Sequence, residues 1–165
     1  MLPVFAAEIL HVGPEGLGIL RASPAVGAVL MSLVMAHRPP LKHAGRTLLV
    51  SVALFGLSMI GFGLSRNFFL STALLAFSGM VDTISVVVRS TLLQVLTPDH
   101  LLGRVASVNA IFIGSSNELG AFESGTAARL IGTVPSVVLG GALTLVVVAV
   151  TAIKVPSLRR LREIR

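Results

Sequence analysis

Asp82 and Arg89 lie two helical turns apart inside a segment that is otherwise apolar, and Ser71, Ser78 and Ser85 recur along the same helical face. A carboxyl group at such a place can take up and release a proton, and a guanidinium can hold an anion or act as a counter-charge. The next apolar segment carries Asn109, Ser115, Ser116, Asn117, Glu118 and Glu123. Charged side chains at the centre of a bilayer cost about 2.5–3.5 kcal/mol each on insertion scales, so they survive where they face a bundle interior or a wet cavity. Asp82 and Arg89 are separated by about 10 Å along one helix, too far for a direct pair, so each needs its own partner or water. The stripe therefore either knits neighbouring helices together or lines a cavity. Glu118 falls near the same depth as Asp82, with Asn117 beside it, and these two are read as facing that cavity. Arg21 stands in the outer third of an earlier segment, followed by Pro24 and Gly27, and is matched in depth to Glu123. An Arg21–Glu123 pair would latch the outer side, unless Arg21 instead snorkels to the interface.

The elements that must position these groups are membrane helices. Of the 165 residues, 54% are hydrophobic and only 12% charged, a balance that fits a polytopic membrane protein and not a soluble core. Since about 20 apolar residues cross the hydrocarbon core, the chain divides into about five spans, residues 16–36, 47–64, 68–96, 101–131 and 134–155. The fold class is all-α, a polytopic helix bundle. Met1–Leu10 is too short to cross and reads as the trailing end of a helix whose beginning lies elsewhere. Residues 1–155 form the membrane bundle, and 156–165 form a basic tail at the headgroups. Segments 47–64 and 134–155 carry no charge before Lys154 and read as lipid-facing scaffold. Small residues Ala106, Ala110 and Gly114, and again Gly120 and Ser124, recur every fourth position and allow a close helix approach.

Orientation follows from the basic residues. Arg38, Lys42, Arg46, Arg104, Lys154 and the arginines of the tail fall on one side, whereas the other side has Arg66 and Arg129. The positive-inside rule then puts the C-terminus in the cytoplasm and the chain in the inner or plasma membrane. Turn chemistry agrees: Pro39-Pro40 ends the first full span, Thr97 is read as a cap with Pro98 at the first helical position, and Gly132 with Pro135 marks an external turn. Trp and Tyr are absent, which leaves interfacial anchoring to residues such as Phe68 and Phe69.

Several functions are excluded or disfavoured. Without cysteine there is no disulfide framework, thiol catalysis or thiolate metal site. His11, His37, His43 and His100 all fall in loops or at helix ends, away from Ser115 and Ser116, and no nucleophile elbow, HExxH or phosphate-loop pattern occurs. No enzyme activity, cofactor or metal is expected. The net charge of +6 is topogenic, so no nucleic-acid partner is expected.

The runs Thr91-Leu92-Leu93-Gln94, Thr97-Pro98-Asp99, Gly103-Arg104-Val105 and Ser115-Ser116-Asn117-Glu118-Leu119-Gly120 resemble the C-terminal half of major facilitator superfamily transporters. Leu2-Pro3-Val4-Phe5, Gly16-Leu17-Gly18 and Arg89-Ser90-Thr91 are similar to its enterobactin-exporter-like branch, also described as transmembrane secretion effectors. The resemblance implies that the spans are helices eight to twelve of a two-half transporter, preceded by a stub of the seventh. It also implies that the eighth, tenth and eleventh border a central cavity. Arg38, Gly45, Arg46, Pro98, Asp99, Gly103 and Arg104 then belong to cytoplasmic loop motifs. This sequence departs from the pattern by lacking an acid in the 37–46 loop, by its Pro39-Pro40, and by Leu102 where a basic residue is common.

Two readings follow. In one, the chain is part of a proton-coupled exporter of a small amphipathic molecule such as a siderophore or drug, with Asp82 and Glu118 as the coupling carboxyls and Arg89 contacting an anionic substrate. In the other, it is a truncated or split half without transport activity of its own, partnered by the bilayer and by a separate N-terminal half.

Overall fold

A computed structural model describes residues 2–37 and 44–155. A short helix α1 (Leu2–Val4) runs into a π-helical turn over Phe5–Ile9, and five long helices follow: α2 (Pro14–Ala36), α3 (Ala44–Leu64), α4 (Phe68–Leu96), α5 (Leu102–Ile131) and α6 (Thr133–Lys154). Helices α2, α3, α4 and α6 are long and apolar enough to cross a membrane. At 30 residues α5 is about 45 Å long, ample for a crossing, but Arg104, Glu118, Glu123 and Arg129 make it more polar than the rest. Arg38, the Pro39-Pro40 pair and the basic tail lie outside the described residues.

The helices pack in a row: α2 on α4, α4 on α3, α3 on α6, and α6 on α5. Small residues set this order. An added Cβ on Gly27 would run into the backbone carbonyl of Ala76, and one on Gly79 into the carbonyl of Pro24, so α2 and α4 cross at backbone contact. Pro24 has no N–H to give to the Leu20 carbonyl, which weakens α2 at the height of that crossing. Helix α3, read from sequence as lipid-facing scaffold, stands between α4 and α6 in the row and keeps Val50 and Leu57 exposed. Its freedom from charge reflects close packing through Ser51, Gly56, Ser58 and Gly63, all buried.

Serines replace leucines along the α3–α4 seam. Ser51, Ser58 and Ser65 on one side and Ser71, Ser78 and Ser85 on the other are all buried, each set repeating every seventh residue about the intervening turn. At the turn, Ser71 donates to the Ser65 hydroxyl oxygen at 3.0 Å. Deeper in, Ser58 donates to the Phe55 carbonyl at 2.7 Å and Ser78 to the Leu75 carbonyl at 2.7 Å. Their protons are thus spent within their own helices, leaving serine to act as a small residue that lets the helices approach. Asn67 caps α4, its side-chain oxygen accepting from the Phe69 and Leu70 amides at 2.9 and 3.3 Å.

The apolar core is at the end of the bundle where α3 turns into α4. Phe5 stacks on Phe62 with ring centroids 4.4 Å apart, and Ala6, Leu10, Leu20 and Leu75 complete the cluster. The π turn closes with the Val12 amide bonded to the Ala6 carbonyl at 3.0 Å, and His11 reverses the chain at φ 50°. Gly132, at φ 90°, separates α5 from α6 in a conformation open to glycine alone. Thr97 does not cap the following helix as the sequence reading has it. The proline after it drives Thr97 to extended backbone (φ −102°, ψ 126°), a 3₁₀ turn occupies Asp99–Leu101, and α5 begins at Leu102.

Candidate functional site

The polar stripe of α4 divides into two faces. Its buried face is Ser71, Leu75, Ser78, Gly79, Val81, Ser85 and Val88, directed at α2 and α3. Asp82 and Arg89, with Val86 between them, form an exposed strip on the same helix. The serines therefore belong to helix packing, while the two charges remain open to whatever lies beside the bundle. Asp82 is one turn from Gly79, so the backbone contact between Gly79 and Pro24 fixes the height of the carboxylate relative to α2.

Asn117, Glu118 and Glu123 are exposed on α5. No residue of α5 is buried, and its main packing partner is α6, with no comparable contact to α2 or α4. Glu118 and Asn117 are thus not brought against Asp82 or Arg89. Arg21 is exposed on α2, and Glu123 sits at the other end of the row of helices, so these two are held apart within the chain. Gly45 is buried at the start of α3, whereas Arg46, Pro98, Asp99, Gly103 and Arg104 are exposed. Among the described residues no cluster of side chains suits a metal ion, and every buried side-chain polar atom has a hydrogen-bond partner.

Two features were hidden from the sequence reading. The Ser65–Ser71 contact between α3 and α4 is signalled by the mirrored heptad spacing of serines about the 65–71 turn, and the α2–α4 crossing by Pro24 and Gly27 opposite Ala76 and Gly79.

Long apolar helices joined through small residues, with a carboxylate and a guanidinium exposed on one of them, define a multi-pass helical membrane protein. The chain belongs to the transmembrane secretion effector family of the major facilitator superfamily, whose model matches residues 1–164. It is 27% identical over 153 residues to the enterobactin exporter EntS of Citrobacter koseri, a match that covers 93% of this chain and 37% of that protein. The chain therefore spans little more than a third of the length of this curated relative. No solved structure matches it.

Proposed function

We propose that this chain forms one wall of a secondary exporter for a small amphipathic molecule, of the siderophore or drug class, driven by a proton gradient. The observation that carries the reading is the exposed Asp82–Arg89 strip on α4, the helix pinned at its middle to α2 and along its length to α3. Asp82 takes up and releases the coupling proton, Arg89 holds the anionic part of the substrate, and Asn117 with Glu118 supplies polar contacts from α5. Arg21 and Glu123 close the outer side. At the inner side Arg38, Gly45 and Arg46 work with Pro98, Asp99, Gly103 and Arg104. The C-terminus is cytoplasmic in the inner membrane.

The similarity to an enterobactin exporter supports enterobactin as the first substrate to test. Cells deficient in siderophore efflux and expressing the chain are expected to release enterobactin faster than vector controls, with the gain abolished by a protonophore. Release unaffected by the protonophore refutes proton coupling. A second reading, that the chain has no transport activity alone, is favoured by its match to only 37% of the relative. It predicts no flux from purified chain in liposomes until a second polypeptide is added.

A further inference from the structure

Helices α2 and α4 run in the same direction, since Leu17 and Leu20 near the start of one share an apolar cluster with Phe68, Leu74 and Leu75 near the start of the other. Their crossing fixes both depth and rotation. Gly27 faces the Ala76 carbonyl and Gly79 the Pro24 carbonyl. Each glycine thus meets the residue three before the other, so Pro24 matches Ala76 in depth and Gly27 matches Gly79. At about 100° per residue, Arg21 then lies about 90° round α2 from the line joining the two helices. Asp82 and Arg89 lie about 90° and about 110° round α4 from that line, in the opposite sense. Opposite senses on two parallel helices that face each other are the same flank. All three charges are therefore exposed along one side of the crossing. The other side presents Ile19, Leu30 and Phe77, 41–51% exposed. The same register gives the heights: Asp82 is about 10 Å from Arg89 and about 13 Å from Arg21, which stands beyond it toward the α3–α4 turn.

We propose that Arg21 is a second anion-binding side chain on the path that Asp82 and Arg89 line, taking the acidic group of a small amphipathic anion once Arg89 has released it. A guanidinium is always charged and holds a carboxylate through two parallel hydrogen bonds, which suits it to both stations. The order along the flank is basic, acidic, basic. An ionised Asp82 repels an anion moving between the two arginines and a protonated one does not. The proton placed on Asp82 by the proposed function therefore also opens the way from Arg89 to Arg21. Glu123, which closes on Arg21 in that function, becomes the competitor that displaces the anion. The flank is built by α2 and α4 alone, whatever stands across from it. The inference rests on the exporter reading for the direction in which the anion moves, whereas binding at Arg21 is open to a test of its own.

The sequence has no cysteine, so a single Ala25→Cys, one turn from Arg21 and exposed, reports on the site. In membranes containing the exporter, this thiol is expected to react about tenfold faster with anionic sulfonatoethyl methanethiosulfonate than with cationic trimethylammonioethyl methanethiosulfonate, each rate scaled to that of a free thiol. Arg21→Gln erases the preference and Arg21→Lys keeps most of it. That rescue separates a lost charge from a misfolded chain. Benzoate, a small amphipathic anion, slows the labelling when Arg21 is present and not in Arg21→Gln. Glu123→Gln leaves the preference in place or raises it, and Ile19→Cys on the other flank stays unreactive to both reagents. The anion site is overturned by a thiol at position 25 that neither reagent reaches, by a preference that survives Arg21→Gln, or by labelling untouched by benzoate. A preference lost in Glu123→Gln as fully as in Arg21→Gln overturns it too, and leaves Arg21 a latch alone. Since no transport is measured, failure here leaves the exporter reading to its own test, and failed enterobactin export leaves the anion site to this one.

Discussion

Gly56 of α3 and Gly141 of α6 meet backbone to backbone: a Cβ built on Gly56 stands 3.0 Å from the Gly141 carbonyl oxygen, and one on Gly141 stands 2.8 Å from that of Gly56. The Gly141 position is also hemmed in by the Ile60 side chain at 2.7 Å and its amide nitrogen at 3.2 Å. A helix backbone cannot yield as a flexible side chain can, so the seam tolerates no side chain there.

Gly141→Ala should therefore destabilise the protein by about 1–3 kcal/mol, the usual cost of overpacking. Its neighbour Gly140 has nothing within 4 Å, and Gly140→Ala should gain up to about 1 kcal/mol through helix propensity. Thermal unfolding of the two variants in detergent, followed by size-exclusion chromatography, checks the opposite signs. Equal shifts for the adjacent glycines would mean that α3 and α6 do not meet as described.

The serine seam gives a graded series. Ser71→Ala removes the donor to Ser65 from a fully buried site and is expected to cost about 0.5–1.5 kcal/mol. Ser78→Leu forces a large side chain between α4 and its neighbours and is expected to cost more, about 1–3 kcal/mol. Unfolding midpoints ranked wild type, then Ser71→Ala, then Ser78→Leu would bear this out. A harmless Ser78→Leu would place that serine toward lipid.

Phe5 anchors the N-terminal segment through its stack on Phe62. Phe5→Ala empties a site that is 1% exposed and should cost about 3–5 kcal/mol, felt first as detachment of residues 2–10 from the bundle. Hydrogen exchange at Ala6–Leu10 should rise sharply while exchange at the middle of α3 changes little. Uniform loss of protection would instead show that the segment holds the whole bundle together.

Helix ends were legible where hydropathy and turn chemistry coincide, as at Phe68–Leu96, bounded by Asn67 and by Thr97-Pro98, and at Gly132 between α5 and α6. The role of each polar residue was less legible. A serine at heptad spacing suits a cavity wall and a helix seam equally well, and only the crossing partner decides between them, which is why Ser71, Ser78 and Ser85 separate from Asp82 and Arg89. Absence of charge made segment 47–64 read as lipid-facing, which its exposed Val50 and Leu57 fit, but gave no sign that Gly56 and Ser58 would be buried among neighbouring helices. Nothing local indicated that α5, rich in small residues, would pack mainly along α6, because what covers a helix is set by its neighbours and not by its own pattern.

The exposed strip of α4 makes a functional prediction that packing cannot mimic. Asp82→Asn keeps size and hydrogen bonding but removes the titratable proton site, and because the side chain is exposed in the bundle the fold should be indifferent to it. If Asp82 couples protons, the variant retains substrate binding and downhill exchange yet loses uphill export driven by a pH gradient, by about 100-fold, within the range for a lost proton-transfer group. Arg89→Gln should give the converse pattern, weaker binding of an anionic substrate with the pH response kept. Glu118→Gln separates the two carboxyls: an effect equal to that of Asp82→Asn assigns coupling to both, and no effect leaves it with Asp82. The measurement is transport in liposomes containing the assembled exporter, with the pH difference and the substrate gradient varied independently. Uphill export by Asp82→Asn at the wild-type rate would remove Asp82 from the coupling step and leave it a polar contact beside the Pro24–Gly79 crossing.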